Sequence, residues 1–181
     1  MSNTREIATQ ILTDIYRNYE FFENSISNNK KYNRLDLRDK AFVKFLIYNT
    51  LRRNGQVEKV INTLVRKPIK KNDLFIQNLV RISICQILFL DIKEYSIVNT
   101  AVEIAKHYKL DKFVNGLLRN VCRNKEKISK SLRLECNIPS WINNDIKKNL
   151  GKYTLINISK TIIKEPFLDI KIKSNYLEKK D

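Results

Sequence analysis

Phe113-Val114-Asn115-Gly116-Leu117-Leu118-Arg119-Asn120-Val121-Cys122-Arg123 separates two chemistries when it is wound as a helix. At about 100° per residue, Phe113, Val114, Leu117, Leu118 and Val121 share one broad stripe, while Lys112, Gly116, Arg119 and Arg123 gather on the opposite side. The stripe needs a helical neighbour; the basic face offers charge to an anion. Gly116 is one of three glycines in the chain, and its missing side chain leaves room for a phosphate backbone or a neighbouring helix to come close. A structural role is also open to Arg119 and Arg123, because cations in the last turn of a helix complement its dipole.

The same period extends through the preceding sequence. Ile7, Ile11, Leu12, Ile15 and Tyr19 mark a first amphipathic helix, followed by a polar loop at Asn28-Asn29-Lys30-Lys31. Asp36 is placed as the N-cap of a second helix reaching Arg53. Ala41, Phe42, Phe45, Leu46, Tyr48 and Leu51 surround that helix so fully that it is expected to be central. Gly55 permits a turn, and Val57, Val60, Ile61, Leu64 and Val65 form a third helix that ends on the approach to Pro68.

The run from Asn72 or Asp73 to Leu90 is apolar nearly all round, which predicts a buried helix with Arg81 and Gln86 half-buried and hydrogen-bonded. Its polar interruptions, Gln77, Asn78, Arg81 and Gln86, argue against a membrane span. A fifth helix covers Ser96 to Tyr108, packing through Val98, Val102, Ile104 and Ala105, and a sixth opens at Leu110. After Arg133 the character changes. Pro139 and Trp141 begin a helix that stops at Gly151, a suitable C′ residue, and Tyr153 to Lys164 form another before Pro166. Residues 167–173 then alternate as a strand does.

The fold class expected is therefore all-α: a helical bundle over residues 1–133, then a short helical linker and one isolated strand within 134–181. A lone strand lacks hydrogen-bonding neighbours, so 134–181 reads as the incomplete beginning of a second domain.

Composition narrows the function. Thirty-five Lys and Arg against nineteen Asp and Glu give a formal net charge of +16, which favours a polyanionic partner, above all nucleic acid. The hydrophobic fraction of 43% supports a packed core. Met1 to Glu6 is polar with no apolar signal core after it, and Cys85, Cys122 and Cys136 are odd in number, far apart and without CxxC spacing. They read as reduced thiols in a cytoplasmic protein that is not membrane-bound. His107 is the only histidine, which leaves a metal cage or a Ser-His triad little to draw on.

Four segments in order carry a family likeness: Arg38-Asp39-Lys40-Ala41-Phe42-Val43 with Tyr48-Asn49-Thr50-Leu51-Arg52-Arg53; Arg81 with Gln86-Ile87-Leu88-Phe89-Leu90; Val98 to Lys106; and Phe113 to Arg119. The chain resembles the NusB-like family, and within it the N-terminal RNA-binding region of the bacterial 16S rRNA cytosine-C5 methyltransferases of the RsmB (Sun/Fmu) type. The resemblance continues through Ile138-Pro139-Ser140-Trp141, Gly151 and Glu165-Pro166-Phe167-Leu168-Asp169-Ile170-Lys171-Ile172-Lys173, beyond the usual extent of a standalone antitermination factor. It implies a NusB-like bundle that positions rRNA, with Arg5, Arg38, Lys44, Arg52, Arg53, Lys112, Gly116, Arg119, Arg123 and Lys125 as the RNA-binding residues. Contact is expected with phosphates, shape rather than base edges setting the site. Arg52 and Arg53 end a helix, so serving its dipole is an equal alternative for them.

The sequence departs from the family at several points. Only Arg5 and Arg17 lie in the opening helix, where antitermination factors are arginine-rich, and Asn49 and Ser83 stand where glycine is frequent. There is no glycine-rich cofactor loop after a strand, and no Pro-Cys or Thr-Cys pair. No catalytic residue, metal or cofactor is therefore assigned to this chain, and S-adenosylmethionine is expected only for a catalytic domain that it does not carry. The partners expected are RNA, chiefly 16S rRNA, and a separately encoded methyltransferase domain or a ribosomal or antitermination protein. The alternative is a transcription antitermination factor binding RNA and a protein partner.

Overall fold

The computed structural model describes residues 4–65, 69, 73–166 and 170. Among them every regular element is helical and none is a strand. The strand expected over 167–173 lies outside the described residues, apart from Ile170, which is exposed and in no regular element.

The helices run α1 (Thr4–Asn18), α2 (Phe22–Ser27), α3 (Lys30–Asn33), α4 (Leu37–Arg52), α5 (Asn54–Leu64), α6 (Leu74–Phe89), α7 (Glu94–Lys106), α8 (Asp111–Arg123) and α9 (Lys125–Ser131). A 3-10 turn (Leu134–Asn137) follows, then α10 (Ser140–Asn149) and α11 (Gly151–Ile162). Asp36 caps α4 as the sequence predicts, its carboxylate accepting the Asp39 N–H at 2.7 Å. Gly151 takes φ +83°, the left-handed conformation that ends α10 and lets α11 start at once. The polar run at Asn28 to Lys31 is not simply a loop. Asn29 accepts the Tyr32 N–H at 2.9 Å and so caps the short α3, whose Tyr32 is buried.

Two hydrophobic clusters share one helix. Ile7, Ala8, Ile11 and Leu12 of α1 pack with Val43, Leu46 and Ile47 of α4 and with Ile82 of α6. The remaining apolar residues of α6 pack with Val57 and Val60 of α5, Ile97 to Ala105 of α7, and Val114 to Val121 of α8. The central helix is therefore α6. The expectation that Asp36–Arg53 would be surrounded is corrected: α4 buries only Val43, Leu46, Ile47 and Thr50, while Ala41 and Phe45 are exposed. Aromatic side chains on its outer face cover the surface and carry cations above their rings, as Arg52 does 5.5 Å from the Tyr48 centroid.

Burying α6 on all sides demands partners for its polar side chains. Asn78 donates to the Thr13 hydroxyl of α1 at 3.1 Å and accepts from Arg81 at 2.7 Å. Arg81 in turn pairs with Glu58 of α5, and its guanidinium carbon lies 5.1 Å from the Tyr16 ring centroid. Gln86 is fully buried rather than half-buried, accepting from Arg5 Nε at 2.9 Å and donating to the Ile82 carbonyl at 3.2 Å. These contacts fix α1 and α5 against α6 by direction as well as by area.

Gly55 lies in the first turn of α5, not in a turn between helices. A Cβ there would sit 1.7 Å from the Cys136 carbonyl oxygen, so the glycine makes room for the backbone of the 3-10 turn. Asn137 completes that join, accepting the Gln56 N–H at 2.9 Å and donating to the Gln56 side chain at 3.0 Å.

Candidate nucleic-acid interface

The apolar stripe of α8 behaves as its sequence requires: Val114, Leu117, Leu118 and Val121 are buried. Lys112, Gly116, Arg119 and Arg123 are exposed on the opposite face. A Cβ on Gly116 would meet nothing within 4 Å, so no neighbouring helix uses the space, and the close helix packing offered for this glycine is corrected. The space is open to solvent and to whatever approaches the basic face.

Lys109, with φ 56°, reverses the chain between α7 and α8, and the Leu110 N–H returns to the Ala105 carbonyl at 3.2 Å. That tight reversal sets the two helices side by side and leaves a groove of about 510 Å³ between their outer edges. Tyr95, Val98, Asn99 and Val102 line it from α7; Asn115, Arg119, Cys122 and Arg123 line it from α8. Beyond Arg123 a second depression continues along α9, lined by Lys125, Lys127 and Lys130 together with Glu94 and Glu126. Arg119 Nε donates to the Asn115 side-chain oxygen at 2.8 Å, which orients both groups.

Of these two acids, Glu94 is neutralised. Glu94 accepts from Lys125 at 3.0 Å and also hydrogen-bonds the Cys122 thiol. Burial first, and then the Glu94 charge and hydrogen bond, push the Cys122 thiol up to about 11, so it remains protonated at neutral pH. Cys85 is buried in α6 and also pushed up to about 11, chiefly by desolvation. Neither sulfur has the character of an activated nucleophile.

The ten RNA-binding residues expected from sequence fall on two parts of the molecule. Lys112, Gly116, Arg119, Arg123 and Lys125 lie together along α8 and the start of α9. Arg5, Arg38, Lys44, Arg52 and Arg53 belong to α1, α4 and the α4–α5 junction, on the other cluster. Arg38 and Lys44 are exposed, although Arg38 lines a depression beside Asp36 and Asp39. Arg5 is half-buried, bonded to Gln86 and 5.6 Å from the Phe42 ring centroid, and burial lowers its pKa. Arg53 lies 4.4 Å from the Phe89 centroid, with its Nε buried and unpartnered among the described residues and its pKa lowered by desolvation. Their guanidinium groups serve packing between helices.

Sequence reasoning passed over Tyr95, Asn99, Asn115, Lys127 and Lys130. The signal was present: Tyr95, Val98, Asn99 and Val102 repeat at i, i+3, i+4 and i+7, which puts them on one edge of α7. Among the described residues no group of three or more His, Cys, Asp or Glu is arranged to hold a metal ion. No described helix is long and apolar enough to cross a membrane.

A family model described as the NusB family matches residues 2–123, from α1 to the end of α8. This chain belongs to the NusB family. The NusB match thus takes in both clusters and the whole α7–α8 groove. Among its relatives is a protein of Synechocystis sp. described as "Probable ribosomal RNA small subunit methyltransferase B", 28% identical over 185 residues. That alignment covers 95% of this chain and 41% of the relative. The "Transcription antitermination protein NusB" of Finegoldia magna is 27% identical over 134 residues, 70% of this chain and 96% of the relative. The "Probable ribosomal RNA small subunit methyltransferase B" of Bacillus subtilis is 28% identical over 152 residues, covering 78% of this chain and 34% of that protein. The chain therefore spans less than half the length of the methyltransferases it resembles and nearly the full length of the antitermination protein.

Proposed function

We propose that this NusB-family chain is an RNA-binding domain of a 16S rRNA cytosine-C5 methylation system, which positions rRNA for a catalytic domain. The observation that carries this reading is the reach of the similarity. The match to the Synechocystis methyltransferase takes in 95% of the chain, where the match to the Finegoldia antitermination protein takes in 70%. The additional likeness favours the methyltransferase branch.

In this reading Lys112, Arg119, Arg123 and the α9 lysines neutralise RNA phosphates, and the packed α7–α8 pair fixes where the RNA lies. Arg119 suits the task because its orientation is set by Asn115 before any RNA arrives. The chemistry of methyl transfer belongs to the catalytic domain, which binds S-adenosylmethionine. In this reading no residue of this chain is assigned to methyl transfer: among the described residues no glycine-rich loop follows a strand, and the Cys85 and Cys122 thiols hold their protons to about 11, unlike activated nucleophiles.

The second reading is an antitermination factor binding leader RNA and a protein partner, favoured by the 96% coverage of the Finegoldia protein. Crosslinking in cells followed by sequencing of the bound RNA separates the two. Small-subunit rRNA is the expected result, and recovery of leader RNA alone would transfer the chain to antitermination.

A further inference from the structure

We propose that the α7–α8 groove is a pocket for one unpaired RNA base, stacked on Tyr95 and hydrogen-bonded at its edge by Asn99 and Asn115. The inference rests on the RNA reading above and changes its mode, from shape alone to recognition of an unstacked nucleotide.

Four features of the groove converge on that ligand. Tyr95 is 80% exposed at its rim, an aromatic face without a packing role, which is the platform a splayed base requires. The apolar part of the lining is Val98, Val102 and the protonated Cys122 thiol, which suit the face of a heterocycle better than a charge. Asn99 is exposed, and the Asn115 oxygen is engaged by Arg119, so the Asn115 amide hydrogens remain to donate to a base acceptor. Arg119 and Arg123 line the α8 side of the groove, and Lys125, Lys127 and Lys130, which outnumber Glu126 beside them, continue the positive charge from Arg123 along α9, where the flanking phosphates would run. Glu94, the one acid lining the groove, is paired with Lys125. A peptide could use the apolar lining but not the cations beside it, unless it were acidic; a nucleotide uses both.

The test compares the intact chain with Tyr95→Ala, Tyr95→Phe and Arg123→Ala, using a fluorescent RNA hairpin with four unpaired loop nucleotides and a blunt duplex of the same length. Wild type should prefer the hairpin. Tyr95→Ala should weaken hairpin binding about 10-fold and leave duplex binding and the salt slope unchanged; Tyr95→Phe should retain affinity. Arg123→Ala should instead weaken both RNAs and make the slope shallower by about 1. With 5-iodouridine in the loop, photocrosslinking should map to Tyr95. Equal hairpin affinity of Tyr95→Ala and wild type, with the salt slope intact, overturns the base pocket alone and leaves the groove to a protein segment. Loss of salt-dependent binding to both RNAs in wild type overturns the RNA reading and the pocket with it.

Discussion

Cys85 shows at single-residue scale how the core sets a chemical property. Its side chain is fully buried in α6, and desolvation holds its proton to about 11 against an ordinary value of 9.0. The unfolded chain gives that proton up at lower pH, so unfolding releases a proton between the two values. Stability is fully present below about pH 9 and falls as pH rises toward 11, by roughly 2–3 kcal/mol for this group. Tyr16, Tyr32 and Tyr48, raised by the same cause, add in the same direction. Urea midpoints between about pH 8 and pH 10.5 should therefore decline, with a shallower decline in Cys85→Ala. Parallel declines in the two proteins would show that this thiol is not the source. Burial of Cys85 was legible in the apolar run around it; the structural use of Arg5 and Arg53 was not, because their partners Gln86 and Phe89 lie far along the chain.

Helices with a clear period were readable: α1, α5, α6, α7 and α8 lie where the apolar spacing put them, and the Asp36 cap fixed the start of α4. The short helices α2, α3 and α9 were not, since six, four and seven residues hold too few turns to display a period. Nor did local sequence show that Phe45 is exposed while Phe42 and Tyr48 are only half-buried at the margin of the core, which depends on what packs across from them. The glycines make the same point. Gly55 is held against the Cys136 backbone, whereas Gly116 faces open space within a helix. Gly55→Ala should cost about 3 kcal/mol, because backbone must move, while Gly116→Ala should gain about 0.5–1 kcal/mol of helix propensity. Urea denaturation of both variants measures the contrast. An unchanged midpoint for Gly55→Ala would contradict the close join between α5 and the 3-10 turn.

For the whole molecule, two clusters sharing α6 hold one face of α8 inside and leave its basic face outside, on a chain of net charge +16. The all-α class and the family likeness followed from the sequence; the grouping of cations did not, because ten candidates scattered over 121 positions, Arg5 to Lys125, divide between two parts of the fold. The change of character after Arg133 was visible, but not that Asn137 and Ile138 fasten the following segment back onto the bundle. RNA contact through the α8 face is decided by how binding responds to salt. The measurement is the salt dependence of binding to a small-subunit rRNA hairpin, by anisotropy, for wild type and for Arg119→Ala/Arg123→Ala, with thermal melting confirming an intact fold. The slope of log affinity against log salt should be steep in wild type and shallower by about 2 in the double variant. Identical slopes in two equally folded proteins would contradict it.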